Sequence, residues 1–138
     1  MPEQSISEII RKTSTLKTKK EKVNFLKQNN SLPLKNIMVL TYDPDKRFLV
    51  PQSEPPYTPS QAHDNHGMLF REVRKLKYIV EGFSDPKMKQ SARESVFINM
   101  LETVHRNDAG VLLQMIKKEP FKGITKDIVN EAFGLSIK

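Results

Sequence analysis

Residues 68–81 read Met-Leu-Phe-Arg-Glu-Val-Arg-Lys-Leu-Lys-Tyr-Ile-Val-Glu. At the helical step, Leu69, Val73, Leu76 and Val80 fall within about 60° of one another, which is the apolar stripe of an amphipathic helix. Gly82 follows and ends it. The opposite face carries Arg71, Arg74, Lys75 and Tyr78 at i, i+3, i+4 and i+7, with Glu72 and Glu81 on its borders. A stripe of this kind is stable only against other apolar faces, so the rest of the chain is read for partners.

Those partners are helices too. Downstream, Asp85-Pro86 reads as a cap and first-turn proline opening a helix to about Val104, with Phe97, Met100, Leu101 and Val104 on one face. Asn107 can cap a further helix in which Ala109, Leu112, Leu113 and Ile116 repeat the spacing. Thr125 can cap a last one, with Ile128, Val129, Ala132 and Phe133 inward and Gly134 beyond its end. Upstream, Ser5 with Glu8 and Thr18 with Glu21 form two capping boxes, predicting helices over Ser5–Thr15 and Thr18–Gln28. Ser91 with Glu94 repeats the spacing inside a helix, so the motif alone is loose. Pro33 suits the first turn of a helix that Asp43-Pro44 stops, because the residue before proline is pushed out of helical geometry.

Arg47–Val50 reads as a short extended segment. Residues 51–67 form a long proline-rich loop without periodicity, a length that usually goes with function or mobility. The expected architecture is all-α: one domain over residues 1–138, an irregular bundle of six to seven helices. Residues 1–17 are expected to be loosely attached to it.

Composition sets the function classes. The 138 residues carry a net charge of +7, which favours polyanionic partners such as nucleic acid but says nothing about fold. There is no cysteine, so disulfide frameworks and thiolate zinc sites are excluded. The polar N-terminal stretch does not read as a signal peptide, and no apolar run approaches the ~20 residues of a membrane span. The expected location is the cytoplasm, with no membrane contact.

No Gly-rich phosphate loop, nucleophile elbow or zincin pair occurs, and neither an enzyme nor a cofactor is expected. His63 and His66 flank Asp64-Asn65 at a spacing that a metal could use. The simpler reading is that Asp64 or Asn65 caps the helix after Gly67 while the imidazoles face water. Asp43 and Asp45 are close in sequence, but a turn about Pro44 accounts for both.

Charge is uneven along the chain. Residues 1–40 carry eight basic and three acidic groups, and residues 71–93 seven and three. The candidate nucleic-acid contacts are therefore Arg71, Arg74, Lys75 and Tyr78, joined by Lys17, Lys19 and Lys20 if the two segments meet in space. Cations would neutralise phosphates and the tyrosine could stack on a base. An ordinary solvated helix face has the same composition. A protein partner from phage or host could instead dock on Pro55, Pro56 and Tyr57, in a polyproline stretch, or on Phe133 and Leu135 of the apolar tail. Prolines that merely stiffen a loop, and a tail that folds back on the core, are the structural alternatives.

Several stretches together resemble a known family. They are Lys20-Glu21-Lys22-Val23 with Phe25-Leu26, Leu34-Lys35-Asn36-Ile37, Tyr42-Asp43-Pro44, Phe48-Leu49-Val50-Pro51, and Pro55-Pro56-Tyr57. Then come Asp64-Asn65-His66-Gly67, Phe70 to Leu76, Gly123-Ile124-Thr125 and Glu131-Ala132-Phe133. In order and spacing, over about residues 18–135, the chain resembles small proteins of large contractile-tailed phages, including those of marine cyanobacteria. The family has no assigned activity, so the resemblance carries over no site. It implies the cytoplasm of an infected bacterium and a theme of replication, transcription or host takeover, with a minor virion component as a further alternative. Relatives tend to have a proline between the Ala-Phe pair and the glycine, whereas here Phe133 meets Gly134 directly.

Overall fold

Three N-terminal helices open as their hydroxyl caps dictate. A computed structural model describes residues 5–60 and 67–138. In α1 (Ile6–Thr15) the Ser5 Oγ accepts the Glu8 amide, and in α2 (Lys19–Gln28) the Thr18 Oγ1 accepts that of Glu21. In α3 (Leu32–Tyr42) Ser31 plays the same part for Leu34. Each bond satisfies one of the amides a helix start leaves without an intrahelical partner. The remaining elements are α4 (Met68–Glu72), running directly into a 3₁₀ helix (Val73–Tyr78), then α5 (Gln90–Thr103), α6 (Arg106–Ile116) and α7 (Lys126–Phe133). Helix accounts for 59% of the described residues, with no strand or sheet among them, so the class is all-α.

The centre is the α3–α6 pair. Leu34, Ile37, Met38, Leu40 and Tyr42 of α3 are buried, as are Ala109, Val111, Leu112, Leu113, Met115 and Ile116 of α6. Helices apolar around most of their circumference belong in the middle. The other elements pack around them: α5 and α1 on α6, and α4, the 3₁₀ helix and α7 on α3, while α2 lies on α1 and α7.

Far from hanging loosely, α1 sends Ile6, Ile9 and Ile10 into the core, and its Ser7 amide donates to the buried Asp108 Oδ1 at 2.9 Å. Asp108 also sits in the first turn of α6. One carboxylate thus lies at two helix N-termini, where the helix dipoles favour negative charge.

Two boundaries differ from expectation. The fifth helix starts at Gln90 because Asp85 spends its side chain on an Asx turn, Oδ1 accepting the Lys87 amide at 2.9 Å. The sixth is capped by His105, whose Nδ1 accepts the Asn107 amide at 3.1 Å, rather than by Asn107. Thr125 caps α7 as expected, and Gly134 follows as its left-handed end.

Candidate functional site

The basic helix of residues 68–81 is α-helical only through Glu72. From Val73 to Tyr78 it tightens to 3₁₀ geometry, and beyond it the chain makes one bridge at Val80 and enters a turn. The cause lies upstream. Phe48 pairs with Val80 in an antiparallel bridge, with the Leu49 amide donating to Ile79 O at 2.7 Å and the Glu81 amide to Arg47 O at 2.8 Å. The Arg47–Leu49 backbone, bridged at Phe48 and bending at Leu49 and Val50, therefore claims the residues that a regular helix would have used to reach Glu81.

Three residues per turn place i and i+3 in line. Val73, Leu76 and Ile79 make the buried line. Arg74 and Lys77 make a second, exposed line that continues back to exposed Arg71, and Lys75 and Tyr78 make a third. Lys75 is partly spent, because its Nζ lies 2.9 Å from Oε1 of Glu72, whose carboxylate is buried. Among the described residues no carboxylate pairs with Arg71, Arg74 or Lys77. Lys77 Nζ lies 5.2 Å from the centroid of the Tyr78 ring, so cation and ring form one unit at the surface.

This ridge separates two open grooves. On one side Arg74, Lys75, Lys77 and Tyr78 face Ser95, Val96 and Asn99 of α5. On the other, Arg74 and Lys77 overlook a floor of Val39, Leu40, Val73, Leu76 and Val80, closed by Lys46 and Phe83. Phe83 is 67% exposed and Tyr78 40%. Cations, an apolar floor and two surface rings suit a flexible polyanion that carries flat apolar groups.

Residues 9–121 match a family of unknown function, DUF6433. The chain belongs to that family. Neither a curated protein nor a solved structure matches it. The DUF6433 match takes in the whole ridge and both grooves, and stops before α7 and the tail.

The other expected site residues are dispersed over this DUF6433 fold. Lys17, Lys19 and Lys20 are exposed, but they flank and open α2, which packs on α1 and α7, while the 3₁₀ helix packs on α3, α4 and α5. The two basic segments therefore occupy different packing neighbourhoods, and Lys19 faces Glu131 at 3.5 Å. Tyr57 is half-buried against the core, where burial raises its pKa and the Glu54 charge adds to the rise. Pro55 and Pro56 border a groove with Val50, Glu94 and Phe97. Phe133 is buried at 6% exposure, and Leu135 packs partly onto the core. The tail folds back, with the Asn130 side-chain amide accepting from the Ile137 N–H at 2.9 Å and donating to its carbonyl at 3.0 Å. His63, Asp64, Asn65 and His66 lie outside the described residues.

Sequence reading missed Lys77, Lys46 and Phe83. The signal for Lys77 is the period-three set Val73, Leu76, Ile79, hidden under a helical stripe that shares two of its members. Nothing local marks Lys46, which reaches the groove only through tertiary packing. Phe83 follows the turn glycine Gly82, and an aromatic in a turn is a local sign of exposure.

Proposed function

We propose that this DUF6433 chain is a non-enzymatic nucleic-acid-binding module whose contact surface is the Arg71–Arg74–Lys77 ridge. On the resemblance described above, we assign it as an accessory protein acting in the cytoplasm of a phage-infected bacterium. The observation that carries the reading is the exposure of Arg71, Arg74 and Lys77 at steps of three, Arg71 in α4 and the other two in line on the 3₁₀ helix. A solvated helix face intersperses acids with bases, whereas here Glu72, the acid between Met68 and Tyr78, is turned inward and held by Lys75. An adaptor working through the tail draws less support, because Phe133 is part of the core and Asn130 clamps the segment after it.

The test is binding of labelled oligonucleotides across ~50 to 200 mM salt, where each neutralised phosphate contributes about 0.7–0.9 to the log–log slope. Arg74→Ala with Lys77→Ala should flatten that slope by about 1.4–1.8. Unchanged binding by the double variant refutes the ridge. Absence of any binding at low salt means the +7 charge serves only solubility.

A further inference from the structure

Phe83 is an apolar ring displayed in water by a turn tied at both ends. Gly82 takes φ 91, a conformation that other residues rarely adopt. The amides of Phe83 and Ser84 both donate to Val80 O, at 3.2 and 3.0 Å. From α5, Arg93 Nε donates to Ser84 Oγ at 3.0 Å and Nη2 to Asp85 O at 2.8 Å. These bonds fix the backbone of the turn, and the ring it carries is 67% exposed.

The charged groups around it are specific in sign and extent. Lys46, Arg74 and Lys77 line the groove that Phe83 closes, while exposed Glu81 and Asp85 flank the turn. The cationic strip is thus narrow, with acids beside it. A duplex keeps its base faces stacked inside and presents two phosphate strands outside. It gains nothing from an aromatic ring or an apolar floor, and its second strand would meet the acids. A single strand offers one line of phosphates and free base faces, which stack on aromatic rings irrespective of sequence.

We propose that the ridge takes single-stranded nucleic acid, with phosphates on Arg74 and Lys77 and unpaired bases on Phe83 in the groove on one side and on Tyr78 in the groove on the other. The proposal rests on the nucleic-acid reading above and narrows it to one strand.

The chain has no tryptophan, so Phe83→Trp introduces a sole indole reporter at the proposed contact. Full-length Phe83→Trp protein is titrated with oligo-dT, with a duplex of equal length and with inorganic polyphosphate. Oligo-dT should quench the indole emission, polyphosphate should not, and the duplex should bind at least about ten-fold more weakly than oligo-dT. Phe83→Ala and Tyr78→Ala should each lower oligo-dT affinity by about five-fold or more while leaving the salt slope intact. Both side chains are exposed, and thermal unfolding of each variant confirms that the fold is kept. Wild-type affinity in the aromatic variants, or equal binding of duplex and oligo-dT, overturns the single-strand proposal while the ridge reading stands on its own salt-slope test. Binding of none of the three polymers overturns both.

Discussion

Tyr42 joins α3 to the loop before α7 through one oxygen. Its hydroxyl accepts the Phe121 amide at 2.9 Å and donates to Ile124 O at 2.6 Å, and the side chain is buried. Burial pushes its pKa from 10.0 up to about 12, the Phe121 bond opposing this in part. A raised folded-state value means the native protein keeps its proton where the unfolded chain has lost it. This contribution is therefore complete below pH 10 and declines as pH rises toward about 12. Tyr42→Phe should cost about 1–3 kcal/mol at neutral pH, because two buried backbone groups lose their partner. It should also make stability less steeply dependent on pH across that window, as read by denaturant midpoints at several alkaline pH values. Lys75 and Lys77 separate in a similar way. Lys75→Ala removes the partner of a buried carboxylate and should lower stability by about 1–2 kcal/mol, an exposure-discounted value, with little change in salt slope. Lys77→Ala should do the reverse. The two residues are two positions apart in sequence, and only the depth of Glu72 assigns them opposite roles.

At the scale of elements, helices with a local cause were legible, and elements bounded by distant contacts were not. Ser5, Thr18 and Thr125 announce their helices by side-chain capping, and the structure has each cap. Residues 68–81 carry the clearest helical stripe yet leave α geometry after Glu72, because Arg47–Leu49 competes for the backbone of Ile79–Glu81. Propensity yielded to a tertiary hydrogen bond. The same limit hid half of the candidate site. Arg71, Arg74 and Tyr78 were readable as a basic face, while Lys77 and Lys46 required the 3₁₀ register and the packing of α3. Close approach between elements is equally invisible in sequence, and Gly123 shows it. It takes φ 74, and a Cβ there would sit 3.2 Å from Ser14 O and 3.3 Å from Ser14 Cα at the end of α1. Its carbonyl also accepts Lys22 Nζ at 2.6 Å. Gly123→Ala should therefore lower stability by about 1–3 kcal/mol, from left-handed strain plus backbone crowding, measured as a drop in the thermal midpoint.

At the scale of the molecule, α2 packs on α1 and α7 whereas the 3₁₀ helix packs on α3, α4 and α5, so the two sets of lysines and arginines sit in separate packing neighbourhoods. Net charge acts at long range and raises encounter rates with any polyanion, but counterion release counts only the phosphates that are contacted. The two effects can be told apart by variants. Lys19→Ala with Lys20→Ala removes as many charges as Arg74→Ala with Lys77→Ala, so both should slow association at low salt by similar factors. Only the ridge pair should flatten the equilibrium slope, by about 1.4 for a single strand. Combining all four changes should give losses in binding free energy that add to within about 0.5 kcal/mol, as expected of independent sites. Equal slopes for the two pairs, or strong non-additivity, would mean that one strand engages both segments at once. That result would make Lys17, Lys19 and Lys20 part of the binding surface.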